Sequence, residues 1–394
     1  MTWLFLLGFV LMVILLHGST VLEGTLSKGE KQKAKKPTKA KKTTSANGLT
    51  SAEILENHER VDYREDKKFP GSVLGYVTPW NNHGYDVAKR LAHKFTLISP
   101  VWFQLLPDAE GTSKKPTDAP SLDCAVTGTQ DIDRGWLEDV KRNNSQVKIV
   151  PRFIFERWSG AQYRHLFAYE DEQNKCAQAV ANFLKRNRLD GAVLELWVTV
   201  MSMSQGLAAD ELIPLLINWG EIFRSEGLLT VLPVPPPLAS YNELSALFTP
   251  DHFARLAPYI DFFNVMTYDY PNRKAGPVSP IGWMQRCVEL MLDRAPQRGS
   301  QILMGLNFYG MDYSPAGVEA VLGKRYLEIL RSAKPEIHWN DEAAEHFMEH
   351  NKQHTVYYPS LMSVNARLNL AKELGVGVGI WDTGQGLDYF YNLL

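Results

Sequence analysis

The sequence predicts an α/β protein, a (β/α)8 TIM barrel with a small insertion after the seventh strand. Three observations predict it. Eight short apolar stretches rich in Val, Ile and Phe recur after residue 70, as strands buried on both faces require. Helix-like stretches lie between them, the alternation that builds a parallel sheet. The segment 70–394 also exceeds the ~250 residues that a closed barrel needs. A doubly wound open sheet is the structural runner-up.

Residues 3–16 are almost continuously apolar, short of the ~20 that span a bilayer, and are followed by His17-Gly18-Ser19-Thr20. Residues 1–20 therefore read as a cleaved signal peptide, which implies a secreted or lysosomal protein with no stable membrane span. A signal anchor is the alternative, because Met1-Thr2 carries no cation. Residues 21–69 are rich in Lys, Thr and Ser and read as a basic disordered linker. Eight Lys face one acid, Glu30, over 27–47, a local +7, so in a chain of net charge −2 the remainder carries −9. That segment holds no aromatics, and a linker is preferred to a nuclear signal or a polyanion patch. No basic domain is left for nucleic acid. With 45% apolar and 22% charged residues the chain is neither collagenous nor wholly disordered. Its three cysteines, Cys124, Cys176 and Cys287, allow at most one intrachain disulfide.

The barrel reading covers 70–394. Strands are expected at 73–78, 95–104, 147–155, 191–197, 229–234, 260–268, 301–308 and 376–381. Helices are expected at 86–94, 175–188, 209–226, 282–294 and 361–374. The surplus after strand seven, about 311–359, is the insertion, with 336–339 and 355–358 expected to pair around a helix.

In such a barrel the chemistry sits at the C-terminal ends of the strands. Those ends read Gly75-Tyr76-Val77-Thr78-Pro79-Trp80 on strand one and Asp190-Gly191-Ala192-Val193-Leu194-Glu195-Leu196-Trp197 on strand four. Strand six ends Met266-Thr267-Tyr268-Asp269, strand seven Asn307-Phe308-Tyr309, and strand eight Ile380-Trp381-Asp382. In this order the blocks resemble the family 18 glycoside hydrolases, the chitinases and chitinase-like lectins, over about 70–394.

Active members of that family carry Asp-Gly-x-Asp-x-Asp-x-Glu on strand four, with the last Glu as general acid. Aligned on Asp190-Gly191, the last three acidic positions fall on Val193, Glu195 and Trp197. Alternation along a strand sends all three to the barrel interior. Trp197 has no proton to give, and Glu195 lies roughly 6–7 Å deeper. The resemblance therefore implies a catalytically silent lectin binding N-acetylglucosamine oligosaccharides, with no catalytic residue, metal or cofactor. Its implied ligand-binding residues are Tyr76, Trp80, Trp197, Met266, Tyr268, Asp269, Tyr309 and Trp381. It further implies microbial glycans or lipopolysaccharide as ligands, a part in innate immunity, and a stabilin-type scavenger receptor as partner. Glu195 would pair inside the barrel, with Arg152 as a candidate. Two other readings stand beside this one: an active glycosidase on an unusual amino sugar using Glu195 or Asp269 as acid, and a scaffold whose groove Trp197 plugs. His346-Phe347-Met348-Glu349-His350 has a zinc-protease spacing, but within the insertion it reads as surface histidines.

Overall fold

Proline decides where two of the barrel strands break. A computed structural model describes residues 48–108 and 122–394. The second strand runs as Leu97–Pro100 and Phe103–Leu106, and the third as Lys148–Ile149 and Arg152–Phe155. Pro100 ends one piece, and Pro151 lies between the other two. A residue without an N–H cannot serve a ladder on both sides. The remaining strands are Val73–Val77, Gly191–Glu195, Leu229–Val234, Phe262–Val265, Ile302–Asn307 and Gly377–Trp381.

All these strands pair in parallel, in chain order, and the eighth pairs with the first. The lower halves of strands two and three pair at Leu97↔Lys148 and the upper halves at Phe103↔Phe153, so the curled sheet returns on itself. The fold is the TIM-barrel-like α/β arrangement. Leu74, Tyr76, Leu97, Val101, Val150, Val193, Val231 and Leu303 fill the interior. A larger apolar shell lies between strands and helices.

Between strand seven and strand eight lies a five-stranded antiparallel sheet made of Gly310–Ser314, Gly317–Val321, Ile337–Asn340, Glu345–His350 and His354–Tyr358. The stretches at 336–339 and 355–358 do not pair with each other, because Glu345–His350 runs between them. This sheet is tied to the barrel by Arg367 of helix Leu361–Glu373. Its buried guanidinium donates to the Glu345 carboxylate at 3.0 Å and to the carbonyl of Ala344. Glu345 in turn accepts the backbone N–H groups of Val278 and Ser279.

The linker reading fails for 48–69. Ser51–Asn57 is a helix capped by Thr50 and Glu53, with Ile54 only 1% exposed. The Lys68 N–H donates to the carbonyl of Leu394, and Asp62 is held by Asn392. Burial of Ile54 and Phe69 supplies the apolar anchor that composition alone hid. The signal-peptide and basic-run readings lie outside the described residues. Cys124 and Cys176 are disulfide-bonded, and Cys287 is a buried thiol. No helix among the described residues is long and apolar enough to cross a membrane.

Candidate functional site

Strand four ends earlier than its apolar pattern suggests. Leu196 leaves the extended conformation (φ −134°, ψ −22°), and Trp197 opens the helix Trp197–Met203. Alternation therefore holds only as far as Glu195. Val193 does belong to the interior cluster. Trp197 points the other way, into the layer between strands and helices, wholly buried. Its indole N–H donates to the carbonyl of Leu247 at 2.8 Å, and its ring meets Phe248 edge-on at 5.3 Å. The expectation that Trp197 lines or plugs the mouth is incorrect, and it is not a ligand-binding residue.

The acid that faces the interior on this strand is Glu195. It accepts a hydrogen bond from the Arg152 guanidinium at 3.0 Å, the partner expected from the sequence. Its charge acts on both Tyr76 and Tyr268, which places all three around one space. Asp190, at the other end of the strand, is structural: it pairs with Lys141 at 2.8 Å and accepts the N–H of Ile149.

Strand six delivers the second carboxylate. After Val265 the chain turns, and Asp269 sits at φ 56°, a left-handed conformation that Asp tolerates better than most residues. The Tyr309 hydroxyl donates to its carboxylate at 2.6 Å. Burial pushes the Asp269 carboxyl up from 3.8 to about 6, against the opposing pull of that hydroxyl. Tyr268 lies against strand seven only because residue 305 is glycine, where a Cβ would come within 2.9 Å of the Tyr268 ring.

Trp381 ends strand eight. Its ring meets Tyr76 edge-on, centroids 5.0 Å apart, and is partly exposed. Glu195, Met266, Tyr268 and Asp269 are also partly exposed, so the mouth reaches solvent at these groups. Trp80 is 49% exposed on the turn after strand one. Asp382 was not singled out in the sequence, although it follows Trp381 directly. It accepts the Thr78 hydroxyl at 2.6 Å, and burial pushes its carboxyl up to about 7.

The zinc-protease spacing is not helical. His346 and His350 lie on the strand Glu345–His350, and both are buried rather than on the surface. His346 is spent on the Ser360 hydroxyl at 2.7 Å.

The mouth of this parallel barrel gathers two carboxylates, three tyrosines and a tryptophan at the strand ends. The chain belongs to glycosyl hydrolases family 18, whose pattern matches residues 72–386. The cortical fragment-lytic enzyme of Bacillus subtilis (strain 168) is 27% identical over 177 residues, 42% of this chain and 40% of that protein. The Bacillus anthracis enzyme of the same name is 28% identical over 173 residues, 40% of this chain and 39% of that one. The chain thus spans about two fifths of the length of these curated relatives. Among solved structures, the spore cortex-lytic enzyme SleL of Bacillus megaterium QM B1551 superposes with a TM-score of 0.63 at 20% identity, over 82% of this chain and 73% of that one. A chitinase from Chromobacterium violaceum ATCC 12472 gives 0.66 at 17% identity, over 82% and 97%.

These relatives overturn the expectation of a silent lectin, since they carry the names of lytic enzymes. The structure also places Trp197, the residue on which that expectation turned, in the layer between strands and helices and not in the mouth. The lectin, pseudoenzyme and innate-immunity readings fall with it.

Proposed function

We propose that the chain is a glycosidase that hydrolyses N-acetylated amino-sugar glycans in its barrel mouth, with Asp269 as general acid. The observation that carries this reading is the Asp269 carboxyl, set at the strand end and clamped by Tyr309, its proton held up to about 6. A carboxylic acid tuned towards neutrality can protonate a leaving glycosidic oxygen. In this family the substrate's own N-acetyl oxygen replaces the second carboxylate as nucleophile, so one acid suffices. The N-acetyl oxygen attacks the anomeric carbon as its bond to the glycosidic oxygen of the leaving sugar breaks, and the proton of Asp269 passes to that departing glycosidic oxygen. Water then opens the cyclic intermediate, with Asp269 now taking the proton.

Glu195, paired with Arg152, faces the same space and orients the amino sugar. Trp381 offers a flat face to one pyranose ring. The names of the relatives support peptidoglycan-type fragments as well as chitooligosaccharides as substrates. A finer resemblance within the family, to chitinase domain-containing protein 1, rests on the runs 75–80 and 384–391. The relatives found support the cortex-lytic reading instead, and a scavenger-receptor partner gains no support from them. The apolar stretch 3–16 supports a secretory route to such substrates.

The test is product analysis of purified protein incubated with chitooligosaccharides and with spore-cortex peptidoglycan fragments. Hydrolysis lost in Asp269→Asn but retained in Trp197→Phe is the expected result. Absence of any product from either glycan class would overturn the reading.

A further inference from the structure

The five-stranded sheet gathers three potential metal ligands that the sugar chemistry does not use. His350 and His354 are register partners flanking the turn of the hairpin formed by Glu345–His350 and His354–Tyr358. Asp312 pairs with Val356, two residues beyond His354, so register puts Asp312, His354 and His350 on one face of the sheet. One ligand atom from each lies within 4.8 Å of the other two. His354 Nδ1 is 2.9 Å from a carboxylate oxygen of Asp312, and His350 Nε2 is 3.6 Å from the same oxygen.

We propose that Asp312, His350 and His354 form a binding site for a single zinc ion. A tetrahedral zinc with arms of ~2.0–2.2 Å has ligand-to-ligand edges of about 3.3–3.5 Å, and the two measured separations bracket that range. The donor set, two imidazoles and one carboxylate, suits zinc rather than calcium or magnesium, which prefer oxygen ligands.

The independent sign of a missing partner is His350. It is only 6% exposed, yet its Nε2 makes no hydrogen bond and only approaches the Asp312 carboxylate at 3.6 Å. A buried polar atom without a partner is costly, and a metal ion at this position would satisfy it. His354 is about a third exposed, which gives the ion an entry path and leaves the fourth position for water. His346, the other histidine of the zinc-protease spacing, takes no part because it is held by Ser360.

The experiment strips the full chain with a chelator and titrates it with zinc by calorimetry, with metal content measured on the same samples. Cobalt is then substituted and its visible absorption recorded, since tetrahedral and octahedral ions differ in intensity. The expected result is one zinc per chain, a rise in Tm on zinc addition, and intense tetrahedral cobalt bands. Both uptake and the Tm rise should be lost in His350→Asn and in His354→Gln. The latter sits at a partly exposed position and keeps the variant foldable if the buried change does not. No stoichiometric uptake by the wild type, or uptake unchanged in His354→Gln, would overturn the proposal and leave an ordinary His–Asp pair.

Discussion

Asp269→Asn keeps the shape of the side chain and an acceptor for the Tyr309 hydroxyl, but removes the proton available to a leaving group. A positioned general acid is worth ~10²–10⁴-fold. The variant should therefore lose that factor in kcat/KM, about 2.7–5.4 kcal/mol of barrier at ~1.36 kcal/mol per decade. In the wild type, kcat/KM should fall as pH rises through about 6, and the residual activity of the variant should lack that limb. Stability supplies a second, independent readout. The folded chain holds this proton up to about 6, whereas the unfolded chain releases it near 3.8, so the folded state binds more protons between those values. The contribution to stability is intact below 3.8 and is lost as pH climbs through 6. At ~1.36 kcal/mol per pH unit, the loss above that window is at most ~3 kcal/mol. Asp269→Asn should accordingly melt at the same temperature as the wild type near pH 3.5, and at the same or a higher temperature near pH 8. Initial rates on a chitooligosaccharide of fixed length, with calorimetric melts at both pH values, measure all of this. Full turnover with an unchanged pH limb in Asp269→Asn would refute the assignment, and loss of turnover in Glu195→Gln alone would move the acid to strand four.

Three further outcomes follow from the geometry. Trp381→Ala should weaken glycan binding by ~1–3 kcal/mol, the range for a ring stacked on an aromatic floor; fluorescence titration reads this, and unchanged affinity would place Trp381 in the core. Trp197→Glu should create no acid in the mouth, because the side chain faces the helix layer; it should instead bury an unpaired carboxylate at a cost above ~4 kcal/mol, seen as unfolding or aggregation. Deleting residues 48–68 removes the buried Ile54 and the Lys68–Leu394 hydrogen bond, ~2–3 kcal/mol. A Tm lower by roughly 3–4 °C is expected from calorimetry, and an unchanged melt would restore the linker reading for that segment.

Strands were the most legible part of the sequence. The stretch 229–234 matches Leu229–Val234, and the other seven are located within a few residues. The breaks in strands two and three were written in Pro100 and Pro151, but apolar runs continue across both. Trp197 was misplaced for a physical reason. Helix Trp197–Met203 begins at Leu196 without a capping side chain and opens Trp-Val-Thr-Val, residues that favour strands. Period-two reasoning then carried one step too far. Elsewhere the cue was present and unread: Thr50 followed by Glu53 is a capping box, and it does start a helix. At the candidate site, the strand ends and the family resemblance together pointed to Tyr268, Asp269, Tyr309 and Trp381, and the fold brings two of these, Asp269 and Tyr309, into contact. The neighbours that tune them, such as Thr78 beneath Asp382, are local only in space.

The Glu345–Arg367 pair fixes how the five-stranded sheet sits on the barrel. Swinging the five-stranded sheet away from the barrel would strand a buried carboxylate and a buried guanidinium, at ~3–5 kcal/mol. At ~1.36 kcal/mol per decade, a detached arrangement is then populated by about one molecule in 10²–10⁴. The position of the sheet against the barrel is therefore set at folding. Changes at this joint should accordingly be read out as lost stability.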